Sequence, residues 1–471
     1  MATLDRLREI VRNHRSSVPT VDLGRGGSLV PPAEISRRPT AAGAETAAPQ
    51  TTTADLVSAA LELGGAFLER DNGAVIIVDR EYTAEMLHGR MPIGDIVATI
   101  TEGADALRLM SKAWPSAAGI VEPGGSEDPP LQRPPLRLLF LDLETTGLFG
   151  GAGTQAFLVG CASIEGTSIR VRQFLMPGFE HERAVLSELQ SLARDHGAVC
   201  SYNGRSFDVP LIETRYMFHR SACVLDGMPH LDMLHAARRL WRQRPLTTGT
   251  PDPDDSSCSL AVLEKHIAGL HRIGDVPGYE IPSRFFRFVR DGDARPLEAV
   301  LEHNRLDLIS LAAVLARAIT LITCGPSMAS SAQEAYGLAR VYERAGAKDN
   351  AEASLLKTIE FAKRVGAEPE VHGEALRRLA WIRRRNRRMN EAAEAWSELA
   401  VLPRCAAALR REAKEALAIH HEHRLKDLQS ARQHALDLLR EGVANPGRVQ
   451  HRLDRLERKL ARYTEAMLPL N

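Results

Sequence analysis

No run of about 20 consecutive apolar residues occurs in this chain, so a membrane-spanning helix is not expected. Cys-x-x-Cys spacing is missing as well. The six cysteines, Cys161, Cys200, Cys223, Cys258, Cys324 and Cys405, lie scattered through apolar segments. That argues against a zinc site of the usual spacing and for reduced thiols in a core. Lysine is scarce, so arginine carries most of the positive charge. Net charge is missing too, with 60 Lys and Arg against 60 Asp and Glu. Taken whole, that balance speaks against a polyanionic partner. The start, MATLDRLREIVRNHR, is amphipathic and charged without an apolar stretch, so it does not read as a secretory signal, and the expected compartment is the cytoplasm. With 44% hydrophobic residues the chain cannot be wholly disordered, and 471 residues call for about three folding units.

Residues 3–14 read as a short helix with Leu4, Leu7, Ile10 and Val11 on one stripe. The stretch 16–53 turns rich in Pro, Thr, Ala and Gly and reads as a linker, so 1–53 holds a helix and a disordered tether. Within 54–130, DLVSAALELGGAFLER reads as helix and GAVIIVDREY as strand, a small α+β segment without an interpretable motif. Residues 136–323 begin with the apolar run LRLLFLDLE, which has the length of a buried strand. Two further strands follow around a turn at Glu165–Gly166–Thr167, then helices and strands alternate up to a last long helix or pair of helices. That order predicts an α/β fold, a mixed sheet covered by helices. Residues 326–471 read as almost entirely helical. Leu338–Ala339, Leu379–Ala380 and Leu417–Ala418 recur at spacings of 41 and 38, each followed by a small residue, Ala351, Ala392 and Ala431. The pattern resembles degenerate tetratricopeptide repeats, and an ordinary helical bundle is the plainer alternative.

The zero net charge does not survive this division. Residues 326–471 carry 27 Lys and Arg against 20 Asp and Glu, while the remainder carries 33 against 40.

Three short motifs carry chemistry. Asp142 and Glu144 are two apart at the end of the first strand of the 136–323 block, so they project from one face. Adjacent ionised carboxylates repel, and a divalent cation with oxygen ligands resolves the conflict; two surface acids are the bland reading. In Tyr202-Asn203-Gly204-Arg205-Ser206-Phe207-Asp208, Asn-Gly marks a turn and Asp208 falls at or near the N-cap of the next helix, so capping alone would account for it. His303 and Asp307 share a helix face at four-residue spacing, where solvation alone would also account for them.

The order D-x-E, N-G-x-x-F-D, H-x-x-x-D resembles the three-motif pattern of the DEDD exonuclease superfamily, which has a ribonuclease-H-like fold. The YprB-type ribonuclease-H-like family is the nearer likeness, through LDLETTGLFGGAGTQAFLVG, YNGRSFDVPLIETR, HLDMLHAARRLWR, SCSLAVLEK, DVPGYEIPSRFFRF and HNRLDLISLAAVL. The resemblance implies that Asp142, Glu144, Asp208 and Asp307 hold two divalent cations, Mg²⁺ or Mn²⁺, and that a residue near the last acid handles the attacking water. One branch of the superfamily places Tyr four residues before the last Asp and another places His five before. His303 has the residue type of one at the spacing of the other, and an imidazole suits a base near neutral pH. The implied reaction is two-metal phosphodiester hydrolysis, 3′-to-5′, on DNA or RNA.

Secondary candidates follow. Asp232 stands near the site or serves as a cap. Thr145 and Asn203 are candidates to touch the terminal nucleotide. Phe285, Phe286 and Phe288 alternate with arginines and read either as base-stacking residues or, more simply, as core. Seven arginines between Arg377 and Arg388, with Arg383, Arg384 and Arg385 at their centre, would attract phosphates, unless the acids at 391–398 neutralise them. The expected partners are nucleic acid and, through the helical repeats, a protein, with no membrane. Two rival readings stay open: a structure-selective endonuclease on the same fold, and a non-catalytic adaptor that binds nucleic acid or protein.

Overall fold

The computed structural model describes residues 52–110, 137–147, 153–242, 258–366, 369–442 and 445–467. The expected helix at 3–14, nearly all of the 16–53 linker and the Pro/Gly stretch before 136 lie outside them.

Helix α1 (Thr53–Glu62) starts at a capping box: Asp55 N donates to Thr52 Oγ1 over 3.3 Å, and Thr52 N donates to Asp55 Oδ2 over 2.9 Å. It stops well before the end of the segment read as helical. Gly64 is left-handed at φ +68°, and a Cβ on Gly65 would sit 2.5 Å from the Ile77 carbonyl oxygen. The chain therefore reverses, and AFLER is a strand, β1 (Ala66–Arg70). β2 (Gly73–Tyr82) coincides with the run GAVIIVDREY. A two-residue pairing follows, β3 (Leu87–His88) with β4 (Met91–Pro92), then helices α2 (Ile93–Glu102) and α3 (Leu107–Met110).

The next strands are β5 (Leu138–Thr145), β6 (Ala156–Glu165) and β7 (Ser168–Leu175). Helix α4 (Glu182–Ala193) leads to β8 (Ala198–Ser201), α5 (Asp208–Phe218), β9 (His230–Asp232) and α6 (Met233–Leu240). The sheet runs β1-β2-β7-β6-β5-β8-β9. β7, β6 and β5 pair antiparallel, whereas β5, β8 and β9 pair parallel. β2 pairs antiparallel with β7 from Ile76–Leu175 to Tyr82–Ile169. The segment read as a separate α+β piece thus lengthens the same sheet as the 136–323 block, and the boundary drawn before 136 cuts through one structural layer.

The apolar run of β5 is buried on both faces. Leu138 and Phe140 enter one core, and Leu139, Leu141 and Leu143 enter the other. The second core is closed by α1, α4, α5 and α8 (Ile281–Asp291). The first is closed by α2, α6, α7 (Leu260–Ile267) and most of α9 (Arg295–Cys324), which is one continuous helix. By length and composition α9 could cross a membrane, contrary to the expectation that no such helix exists. Most of its apolar window is buried in the protein, so it is a core helix.

Among the described residues seven α-helices follow: α10 (Ala332–Ala345), α11 (Lys348–Val365), α12 (Pro369–Arg385), α13 (Met389–Val401), α14 (Ala407–His420), α15 (Leu428–Arg440) and α16 (Pro446–Met467). The recurring Leu-Ala pairs fall on α10, α12 and α14, and Ala351, Ala392 and Ala431 fall on α11, α13 and α15; all nine are buried. The first of these helices shares the core of the sheet. Gly337 lets α10 approach α6 so closely that a Cβ there would lie 2.1 Å from the Leu240 carbonyl oxygen. Three cysteines are buried, as expected, but Cys223 and Cys258 are half-buried and Cys324 is exposed.

Candidate active site

Strand alternation puts Asp142 and Glu144 on the face of β5 that Phe140 shares, beneath α9. A bulge between Glu144 and Thr145 ends the regular pairing. Beyond it Thr146 pairs with Gln155 through backbone and hydroxyl, and the Thr145 hydroxyl donates to the Gly147 carbonyl over 2.8 Å.

Asp208 is the first residue of α5, not its cap. Phe207 holds the N-cap position, and no side chain caps the helix. The turn before it is fastened from below by Asp232. That carboxylate accepts the Asn203 N–H over 2.9 Å and the Arg205 N–H over 3.2 Å, and it caps α6 through Leu234 N at 3.0 Å. Asp232 is therefore a brace for the turn. Asn203 takes the left-handed conformation at φ +66°, and Gly204 is required where it stands: a Cβ would meet Ser201 Oγ at 2.4 Å and Asp208 Oδ2 at 2.9 Å.

Helix α9 supplies the rest. Asn304, fully buried, donates to Asp142 Oδ2 over 2.8 Å and to the Asp142 carbonyl over 3.2 Å. Its own side-chain oxygen accepts from Gln173 Nε2 at 2.8 Å, and Gln173 also donates to the Leu301 carbonyl. Gly160 of β6 makes room, since a Cβ there would overlap Asn304 Oδ1 at 2.0 Å. Asp307, one turn on, receives Arg272, and its Oδ2 lies 3.8 Å from His303 Nε2. The other ring nitrogen, His303 Nδ1, is 2.7 Å from Asp275 Oδ1.

The four acids expected to act together do interact. Each stays partly accessible, yet protein surrounds it on most sides. Burial, then the charges of Asp307, Glu144 and Asp208, push the Asp142 carboxyl well above its usual range, against the Asn304 hydrogen bond. Burial, then Asp307, Asp208 and Asp275, do the same to Glu144. Burial pushes Asp208 up to about 7, opposed by the backbone N–H groups of Asp208 itself and Leu143. Asp275 goes the other way. Burial disfavours its charge, but its hydrogen bond with His303 and the charges of His303 and Arg272 outweigh that and lower its pKa.

Four such carboxylates without a compensating cation are an unfavourable arrangement. An all-oxygen donor set suits a hard divalent cation, so Asp142, Glu144, Asp208 and Asp307 fit that group by their chemistry. Among the described residues, no three His, Cys, Asp or Glu side chains converge into a ready-made ligand group. Asp307 is engaged by Arg272 instead.

The secondary candidates separate. Phe285 and Phe288 are core residues, Phe285 stacked on Phe157 at 4.3 Å between ring centroids. Phe286 is exposed, while Arg284, Arg287 and Arg290 pair with nearby acids. Of the arginine run on α12, Arg383 is tied to Glu352 and Glu391, so it is not free to take phosphate as expected; Glu352 comes from α11, outside the neighbouring acids at 391–398. Arg384 is exposed and lies over the Trp381 ring at 5.0 Å, and Arg385 is exposed. Sequence reasoning missed Asn304, Gln173, Gly160, Glu264, Arg272 and Asp275. The one available signal was a polar Gln173 at an otherwise apolar strand position.

A mixed sheet in the order β7-β6-β5-β8-β9, with acids at the end of its central strand and on a helix across its face, defines a ribonuclease-H-like domain. Residues 139–319 match the family model described as RNase_H superfamily. The chain is 30% identical over 329 residues to the uncharacterized protein YprB of Bacillus subtilis, covering 68% of this chain and 75% of that protein. It belongs to the YprB family. A structure of the family B DNA polymerase from Pyrobaculum calidifontis covers 45% of this chain and 29% of the polymerase at 13% identity and a TM-score of 0.29.

Proposed function

We propose that this chain is a metal-dependent nuclease that hydrolyses phosphodiester bonds of DNA or RNA, working from the 3′ end. The observation that carries the reading is that Asp142 and Glu144 share one face of β5, that Asn304 on the helix bearing Asp307 binds Asp142, and that Asp208 accepts from the Leu143 backbone, so the four carboxylates lie near enough for their charges to act on one another. Asp142, Glu144, Asp208 and Asp307 would hold Mg²⁺ or Mn²⁺. When bound, such ions lower the pKa of a water and offset charge on the leaving oxygen. Asp275 orients the His303 ring through Nδ1, leaving Nε2 to take a proton from the attacking water. Asn304 keeps Asp142 in place and lowers the cost of its charge. Thr145 and Asn203, at the two turns flanking the acids, contact the terminal nucleotide. The buried Leu-Ala and Ala positions of successive hairpins support a tetratricopeptide-like array in 326–471, which serves as a platform for nucleic acid or a protein partner, with Arg384 and Arg385 offering charge.

A Mn²⁺-dependent cleavage panel tests this. Single- and double-stranded DNA, RNA and hybrid, each labelled at the 5′ end, should yield a ladder shortening from the 3′ end. Circular substrates should survive. Cutting of circles would make the enzyme an endonuclease, and no cutting of any substrate would refute the nuclease reading.

A further inference from the structure

We propose that Arg272 is a resident cation of the acid cluster, competing with a divalent metal for Asp307, and that the β3–β4 hairpin holds it there. The proposal rests on the nuclease reading above and assigns a role to the N-terminal segment that the motifs left without one.

Arg272 stands on the connection between α7 and α8, with its side chain only 7% exposed. Its guanidinium binds Glu264 with two parallel bonds, Nε to Oε1 at 2.7 Å and a terminal nitrogen to Oε2 at 2.8 Å. It also donates to Asp307 Oδ1 and reaches Asp275 Oδ2 at 3.3 Å. A planar guanidinium binds one carboxylate through its fork while its other N–H groups reach two more, a geometry that an ammonium does not reproduce. The anchor is deep. Glu264 is buried, accepts the Ser310 hydroxyl, and Ser310 Oγ lies 2.9 Å from His88 Nε2 of β3. Burial, then the Arg272 charge, push the His88 imidazole down to about 4, so it joins this chain of hydrogen bonds neutral.

The hairpin also grips the backbone that leads to Arg272. Arg90 N donates to the Ala268 carbonyl over 2.8 Å, and its guanidinium donates to the His266 carbonyl over 3.1 Å. Gly89 lies against the same Ala268 carbonyl, where a Cβ would come within 2.1 Å. Residues far apart in sequence thus fix one positive charge beside the acids.

Asp307 Oδ1 cannot serve a guanidinium and a metal ion with the same lone pair. A metal ion taking another Asp307 lone pair would still sit beside the guanidinium charge, so its entry is opposed until Asp307 turns away from Arg272, while the two bonds to Glu264 keep Arg272 nearby. Arg272 therefore offsets carboxylate repulsion in the metal-free protein and weakens the first binding of metal.

Isothermal titration of Mn²⁺ into the full chain tests this, with metal-free melting as a second readout. Arg272→Met should tighten Mn²⁺ binding by about tenfold. It should also lower the metal-free melting temperature, and saturating Mn²⁺ should close that gap. Arg272→Lys keeps the charge but loses the fork, so it should tighten binding by only about threefold; it decides the matter if the Met variant does not fold. Unchanged or weaker binding in the variants, with the parent chain binding Mn²⁺ normally, overturns the competition. Absent binding in every protein, including the parent, overturns the nuclease reading and this proposal together.

Discussion

Replacing Gly160 with alanine adds one methyl group to β6 and reaches the acids without touching them. The new Cβ would fall 2.0 Å from Asn304 Oδ1 and 2.6 Å from its Cγ and Nδ2. Asn304 cannot retreat, because it is fully buried and held by Gln173 at 2.8 Å. Two costs follow. Overpacking of a close contact costs about 1–3 kcal/mol. Loss of the bonds to Asp142 leaves buried polar groups unpaired, at about 1–3 kcal/mol more. Gly160→Ala should therefore destabilise the protein by roughly 2–6 kcal/mol, read as a shift of the urea midpoint by circular dichroism. In an Asn304→Ala background the same methyl group has space, so its added cost should fall below about 1 kcal/mol. A Gly160→Ala protein within about 0.5 kcal/mol of the parent, or a cycle in which the two changes simply add, would refute the packing described here.

Other expectations follow from the same geometry. His303→Gln should slow single-turnover cleavage by about 10²–10⁴-fold, and Asp275→Asn should slow it less, with metal affinity nearly unchanged in both. In metal-free buffer, the Asp208 carboxyl should cost stability as pH rises. Its folded pKa of about 7 lies above the unfolded 3.8, so its contribution is complete below about 4 and is lost towards 7. Because buried neutral histidines such as His88 act in the opposite sense, the check is the melting difference between the parent and Asp208→Asn from pH 4 to 8, which should grow in favour of the variant, and a difference independent of pH would contradict it. Near the C-terminal helices, Glu422 is buried against Arg455 and Lys459. Burial opposes its charge, but those bonds hold its pKa near 2 against 4.5 unfolded, so its stabilisation is present above about 4.5 and is lost as pH falls towards 2. Glu422→Gln should cost only about 1–2 kcal/mol, because Arg455 and Lys459 keep access to solvent, and limited proteolysis should cut sooner around α16.

The central strands and helices were legible because their signals are local. LRLLFLDLE is apolar on both faces, and the turn at Gly166 has only one plausible place. The short motifs placed Asp142, Glu144, Asp208 and Asp307 correctly on a strand end, a helix start and a helix face. The misreadings came from non-local causes. AFLER follows a helical run without a break in polarity, and only Gly64 and Gly65, pressed against β2, turn it into a strand. The attachment of β2 to β7 depends on a partner about 90 residues away. Asn304 and Arg272 matter through distant contacts, with Asp142 across the core and with Glu264, Asp307 and the β3–β4 hairpin. Arg383 read as a phosphate ligand because Glu352, on the preceding helix, is invisible to a local count of charge.

The most direct test of the account is the combined Asp142→Asn and Glu144→Gln variant, assayed for Mn²⁺-dependent cleavage of end-labelled nucleic acid alongside the parent chain. Both changes keep side-chain size while removing two of the four charges. The account predicts an unaltered circular dichroism spectrum and a complete loss of metal-dependent hydrolysis. Hydrolysis at the parent rate by the folded variant would contradict it.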